Sequence, residues 1–136
     1  MISLRTATES DADAVVAVWH ACDLTRPWYD PHADFSRAIG HSAATIFLAE
    51  TDGEIVGTAM TGYDGHRGWI YYLGVAPDHR GRGAARQLLD GACDWLTLRG
   101  CPKVELMLRE GNPATGLYEH LNWELQPVRV FARSLG

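Results

Sequence analysis

Leu73-Gly74-Val75-Ala76-Pro77-Asp78-His79-Arg80-Gly81-Arg82-Gly83-Ala84-Ala85-Arg86-Gln87-Leu88-Leu89 is the stretch that decides how this chain is read. Upstream of it, Trp69 to Val75 is a run of aromatic and β-branched residues, as a strand interior requires. Pro77 cannot continue a ladder and forces a turn. Arg80 to Gly83 then stands at the start of a helix. The first N–H groups of a helix have no intrahelical partner, and the helix dipole adds partial positive charge there. Such an end is suited to holding phosphate. Gly81 and Gly83 let the backbone approach an anion, and Arg80 and Arg82 add charge.

Two familiar phosphate loops do not fit. A P-loop needs glycine, four residues, glycine, then lysine and serine or threonine, and nothing here supplies that. A dinucleotide fingerprint needs a small residue three positions after its second glycine, where this chain has Arg86. Val75 to Ala85 instead resembles the pyrophosphate-binding motif of the GNAT acetyltransferase superfamily, which binds acetyl-CoA. The string Cys22-Asp23-Leu24 with Arg26-Pro27-Trp28 and Asp30-Pro31, and the later Gly62-Tyr63-Asp64-Gly65-His66-Arg67-Gly68, is similar to small bacterial members of the YpeA type. The resemblance covers most of the chain. It implies an α/β fold, a three-layer sandwich with a mixed central β-sheet and helices on both faces. It also implies that Leu73, Gly74, Val75, Arg80, Gly81, Arg82, Gly83, Ala84 and Ala85 contact acetyl-CoA. In it the central strand splays from its neighbour, so that free backbone groups near Leu73 to Val75 bind the pantetheine arm like an added strand.

Composition sets outer limits. A chain of 136 residues is read as one domain, 1–136, with an ordinary apolar share of 46%. Twelve basic against seventeen acidic residues give a net charge of −5. That argues against nucleic-acid binding, which relies on a basic surface, and suits a cationic acceptor such as an amine. Cys22, Cys93 and Cys101 form no CxxC and no zinc spacing, so neither a metal nor a disulfide framework is expected. A cytoplasmic home follows as the simple expectation. No stretch reaches the ~18 apolar residues of a membrane span.

The remaining elements follow from periodicity. Met1 to Thr6 reads as a short strand. Ala12, Val15, Val16, Trp19 and Cys22 fall at helical spacing behind the capping residues Ser10 and Asp11. Pro31 to His41 reads as a second helix. Thr45–Thr51 and Glu54–Tyr63 read as a hairpin about Asp52-Gly53, since a type I′ turn needs positive φ at both central positions. Along the central strand Tyr71, Leu73 and Val75 should share one face, and Ile70 and Tyr72 the other. Gly81 to Arg99 reads as the main helix, with Ala85, Leu88, Leu89, Ala92 and Leu96 as its buried stripe. Lys103 to Leu108 reads as a strand. Asn112-Pro113 then reads as a helix start, cap followed by proline. Val128, Val130 and Phe131 suggest one last strand. The family ends in two longer strands, so a second subunit, making a homodimer, would cover the resulting edge.

Two loops are candidate acceptor sites. In Arg26-Pro27-Trp28-Tyr29-Asp30-Pro31, Arg26 is suited to a carboxylate, and Trp28 and Tyr29 to an apolar or cationic group. The alternative is a packed connection with Trp28 capping the core. Asp64-Gly65-His66-Arg67-Gly68 is either a second wall of the site or a wide hairpin loop. Glu105 reads as a surface carboxylate.

The family resemblance completes an expected chemistry: transfer of an acetyl group from acetyl-CoA to a primary amine by direct attack. Asn112 to Trp123 is similar to the second family motif. Within it Tyr118 matches the general acid that protonates the leaving thiolate, and Asn112 a CoA contact. In two departures, Asn112 lies six residues before Tyr118 rather than seven, and Asn122-Trp123 replaces a glycine–aromatic pair. Asparagine tolerates the left-handed conformation that this cap needs. A tyrosine near ~10 giving its proton to a thiolate near ~8.5 runs uphill by about 2 kcal/mol. Oxyanion support would come from a backbone N–H near Leu73 to Val75. The amine must be neutral to attack, and Trp69 to Val75 holds no carboxylate. Asp64, His66 or a water held by Tyr71 or Tyr72 are the candidate bases. The shortage of a base favours an acceptor of lower pKa, a small-molecule or peptide α-amine. The rival readings are a non-catalytic CoA or acyl-CoA binding module, and an enzyme for longer acyl groups.

Overall fold

A computed structural model describes residues 1–136, and its frame is one five-stranded sheet. Strands β1 (Ser3–Thr6), β2 (Ala44–Thr51), β3 (Glu54–Tyr63), β4 (Gly68–Val75) and β5 (Val104–Leu106) lie side by side in chain order. The first three pairings are antiparallel and β4–β5 is parallel. A parallel pairing needs a crossover, which α3 (Ala84–Leu98) supplies. Helices α1 (Ala12–Ala21) and α2 (Pro31–Ile39) precede β2, and α4 (Thr115–His120) follows β5.

Each face of the sheet has its own core. Val15, Val16 and Trp19 of α1 and Phe35 and Ala38 of α2 pack on Ile46 and Leu48. Ala84, Leu88, Leu89 and Ala92 of α3 pack on Ala49, Val56, Ala59, Ile70 and Val75, with Tyr118 of α4 completing the cluster. Ile46 and Leu48 against Ala49 show the alternation of a strand buried on both faces. This is the mixed-sheet, three-layer sandwich expected from the sequence. The Asp52-Gly53 turn has the predicted positive φ at both positions, 51° and 77°. Gly100 (φ 78°) ends α3, and Asn122 (φ 65°) takes the left-handed position after α4.

Four expectations are corrected. The main helix starts at Ala84, because Gly81 and Gly83 have φ of 77° and 86° and cannot be helical. The strand expected over 103–108 is limited to Val104–Leu106, since β4 has no bonds for β5 beyond Ile70↔Leu106. Asn112-Pro113 does not open a helix. The Asn112 Oδ1 accepts from the Ala114 N–H at 2.8 Å in a turn, and α4 begins at Thr115. Residues 124–136 form no strand and leave Leu125, Val128, Val130, Phe131 and Leu135 between 63% and 100% exposed.

Candidate active site

The sheet is irregular at one place in β4. Met60 faces Tyr71 and Thr58 faces Gly74, so Ala59 opposes both Tyr72 and Leu73. This is a β-bulge, and Tyr72 adopts φ 52° to make it. A left-handed tyrosine costs about 1–2 kcal/mol, so it persists only where its surroundings hold it. Here the ring stacks on Trp19 at 3.8 Å and the hydroxyl donates to Asp34 Oδ2 at 2.6 Å. Burial and that carboxylate push the phenol of Tyr72 upward. The bulge also corrects the predicted facing. Tyr72 packs with the α1–α2 core, while Ile70, Leu73 and Val75 pack with the α3 core.

Beside the bulge the sheet opens. β5 pairs with β4 only from Gly68 to Ile70, so the outer edge of Tyr71–Val75 has no strand partner. The Thr58↔Gly74 pairing and the Ala76 N–H bond to the Val56 carbonyl turn residues 74 and 76 toward β3. Antiparallel bonding alternates, so Leu73 and Val75 present their backbone groups to the open side. The splay expected for the central strand is thus present, and it leaves an edge an extended ligand can join.

The chain then enters the glycine loop. Arg80 donates from Nε to the Val75 carbonyl at 2.9 Å, tying the loop to the strand end. None of the N–H groups from Gly81 to Arg86 donates to another protein group, and the first helical bond runs from Gln87 to the Gly83 carbonyl. Gly81, Arg82 and Gly83 are exposed. A Cβ built on either glycine meets nothing within 4 Å. An open row of unpartnered donors at the start of a 15-residue helix is the arrangement that holding an anion requires. Ala84 is buried under it and Ala85 half-buried, which sets the helix close to the sheet.

Tyr118 is 8% exposed and lies in the same core cluster as Val75, with Leu73 packed against it. Trp123 packs edge-on against its ring at 5.7 Å. Its hydroxyl bonds nothing in the protein and is not sealed from solvent. Burial pushes its pKa up to about 12. The phenol is therefore protonated at any physiological pH and free to donate. The side-chain carbonyl of Asn112 is occupied by its own turn.

The acceptor candidates separate into two groups. Arg26 is taken up by its own loop, donating from Nη1 to the carbonyls of Asp23 and Thr25. Trp28 is 71% exposed, so it does not cap the core, and Tyr29 stands edge-on to it. The Tyr29 hydroxyl accepts from Arg109 Nη2 at 3.3 Å, joining this loop to the segment after β5. Asp64 staples the β3–β4 loop. It accepts from the His66 and Arg67 N–H groups at 2.8 Å and from Trp69 Nε1 at 3.2 Å. Those bonds hold its pKa below the usual carboxylate range, which makes it a poor base. His66 is exposed on the same loop. Tyr71 is 42% exposed and stacks with Trp69, and burial raises its pKa. Glu105 pairs with Arg67 at 3.3 Å, as a surface carboxylate does. Asp34, Thr58 and Arg109 escaped sequence reasoning. Each touches the site only through the bulge or a loop bridge, and neither leaves a periodicity signal.

A family model described as "Acetyltransferase (GNAT) family" matches residues 12–123. The chain belongs to the GNAT acetyltransferase family. It is 49% identical over 124 residues to an acetyltransferase of Pectobacterium atrosepticum, covering 90% of this chain and 88% of that one. It is 45% identical over 135 residues to an acetyltransferase of Yersinia enterocolitica, covering 98% and 96%. Among solved structures, the aminoglycoside N-acetyltransferase AAC(6')-Iy, held with a CoA bisubstrate analogue, matches with a TM-score of 0.84 at 20% identity over 100% and 99% of the two chains. A ribosomal-protein-alanine N-acetyltransferase of Brucella melitensis matches with a TM-score of 0.77 at 22% identity, over 98% and 99%. At these identities the structural matches establish the GNAT fold. The family makes this chain an acyl-transferring enzyme that uses acetyl-CoA as donor and an amine as acceptor. No group of three or more His, Cys, Asp or Glu side chains could hold a metal ion, and no helix is long and apolar enough to cross a membrane.

Proposed function

We propose that residues 1–136 act as a single GNAT domain that acetylates an α-amine, of a peptide or small molecule, by direct attack on acetyl-CoA. The observation that carries the cofactor half is the open row of N–H donors from Gly81 to Arg86 beside the unpaired edge of β4. In this reading Arg80 to Ala85 hold the pyrophosphate, and Leu73, Gly74 and Val75 hold the pantetheine arm. Asn112 shapes the turn beneath it. A backbone N–H of Leu73 or Val75 supports the oxyanion. Tyr118 then protonates the leaving thiolate. Trp28, Tyr29 and Tyr71 form the acceptor walls, with Arg26, Asp64 and His66 shaping the loops that carry them.

The α-amine preference follows from the lack of a free carboxylate base beside β4. Both oxygens of Asp64 are taken, Oδ1 by N–H groups of its own loop and Oδ2 by Trp69 of β4. A lysine-type amine at ~10.4 costs about 4.6 kcal/mol to deprotonate at pH 7, and an α-amine at ~7.8 about 1. With no carboxylate to offset it, that difference falls on the rate. The expected result is faster acetylation of short-peptide N-termini than of lysine or polyamine amines at pH 7. Between pH 7 and 9 the α-amine rate should pass half its plateau near pH ~8 and level off toward pH ~9, where that amine is almost wholly neutral. Activity on lysine side chains with none on α-amines would count against the reading.

A second copy of the chain is the proposed partner. Residues 124–136 carry five large exposed apolar side chains, β5 is a three-residue strand whose outer edge is unpaired, and Lys103 Nζ just before it bonds Gln126 at 3.2 Å. Sedimentation should show a dimer, and deletion of residues 127–136 should yield a monomer. A monomeric intact chain at micromolar concentration would contradict this. The three free cysteines suit a reducing, cytoplasmic setting.

A further inference from the structure

The bulge in β4 is held by a buried relay that reaches back to α1. The Trp19 indole Nε1–H donates to Thr58 Oγ1 at 3.0 Å, and Thr58 Oγ1 donates to the Tyr72 carbonyl at 2.8 Å. Chemistry sets the direction. An indole N–H can only donate, so the Thr58 oxygen accepts there and its hydrogen is directed to Tyr72. Both Trp19 and Thr58 are fully buried. The same indole also lies flat against the Tyr72 ring.

The carbonyl held in this way belongs to the peptide that joins Tyr72 to Leu73. That peptide is trans, and in a trans peptide the C=O and N–H point in opposite directions. A carbonyl drawn toward Thr58 on β3 therefore sends the Leu73 N–H toward the open edge of β4. We propose that Thr58, oriented by Trp19, is a positioning residue for acetyl transfer, fixing the Tyr72–Leu73 peptide so that the Leu73 N–H meets the thioester oxygen. This rests on the reading that a backbone N–H of β4 supports the oxyanion. Thr61 provides a built-in contrast. It is equally buried and its hydroxyl donates to the Trp69 carbonyl at 2.9 Å. Trp69, however, lies in the regular part of β4, still paired with Glu105 of β5, so Thr61 controls no free N–H.

The test reads the polarisation of the bound carbonyl. Acetyl-CoA labelled with ¹³C at the carbonyl is bound to the wild type and to the Thr58→Val, Thr58→Ser, Trp19→Phe and Thr61→Val variants, and the thioester stretch is followed by infrared difference spectroscopy. CoA affinity is measured alongside, because CoA lacks the carbonyl. In the wild type the stretch should fall below its value in free acetyl-CoA. Thr58→Val should return it toward the free value and lower turnover by about 10²-fold, the scale of a lost oxyanion donor. CoA affinity should stay within about threefold, as the lost donor meets only the acetyl oxygen. Thr58→Ser should restore the shift, and Thr61→Val should leave it intact. If Thr58→Val does not fold, Trp19→Phe decides, with a partial loss of shift expected. A wild-type shift that survives Thr58→Val or Trp19→Phe, or that Thr61→Val removes equally, overturns the proposal. A wild type that binds acetyl-CoA with no shift at all removes the oxyanion reading on which it rests.

Discussion

Gly83→Glu should abolish acetyl-CoA binding while leaving the chain folded. The loop owes its cradle to two left-handed glycines, and Gly83 at φ 86° is the residue from which α3 starts. A side chain there has open space around it in the free protein, since a Cβ meets nothing within 4 Å. The fold therefore loses only the left-handed strain of about 1–2 kcal/mol. The cradle loses far more. The carboxylate stands among the N–H groups of Gly81 to Arg86, where a diphosphate would lie, and takes their field for itself. Thermal unfolding measures both effects at once. Acetyl-CoA at ~100 times its dissociation constant should stabilise the wild type by about 2.7 kcal/mol. For a domain of this size that raises Tm by on the order of 5–15 °C. The variant should unfold a few degrees lower without ligand and show no ligand-induced rise. A full rise in the variant would mean that the diphosphate binds elsewhere.

Tyr118→Phe should lower kcat by about 10²-fold or more, the usual scale of general-acid catalysis, with CoA affinity nearly unchanged. The hydroxyl bonds nothing in the protein, so its removal leaves no partner stranded, and the ring keeps its contact with Trp123. Burial has raised the phenol to about 12. Against a thiolate near ~8.5 the proton transfer is then uphill by about 5 kcal/mol, more than the 2 kcal/mol expected for an unperturbed tyrosine. A thiolate leaving in the same dry cleft has its own pKa raised, which narrows the gap. The pH profile follows in sign. The active form is the protonated one, and it persists until pH approaches 12. The alkaline side of kcat should therefore show no fall assignable to Tyr118 below about pH 11. A loss of activity centred near pH 10 would place the acid on an unburied tyrosine instead.

Much of this site was legible before the structure, for definable reasons. The Asp52-Gly53 hairpin, the loop at Gly81 and Gly83 and the stop at Gly100 all demand positive φ, and glycine next to polar residues advertises that demand. The buried stripe of α3 follows from spacing alone. The bulge did not announce itself, because positive φ fell on Tyr72, a residue type that avoids it. What stabilises it lies 53 residues upstream in Trp19 and on the neighbouring strand in Thr58, and no local pattern links them. The role of Asp34 was hidden in the same way, since an acidic residue in a first helical turn needs no further reason. The tail failed for a different cause. Val128, Val130 and Phe131 have strand propensity, but a strand also needs ladder bonds to a partner edge, and residues 124–136 pair with neither free edge of the sheet.

In the proposed reaction the open edge of β4 and the glycine loop deliver an acetyl group to an amine. Doubly ¹³C-labelled acetyl-CoA, incubated with the protein and a mixture of short peptides and free amines, tests it most directly, with mass spectrometry following the label and a thiol reagent following CoA. Label is expected in an amide on a peptide or small-molecule α-amine, one equivalent for each CoA released, and far less from Tyr118→Phe. Label recovered only as acetate, or no release of CoA from a protein that binds acetyl-CoA, would contradict it.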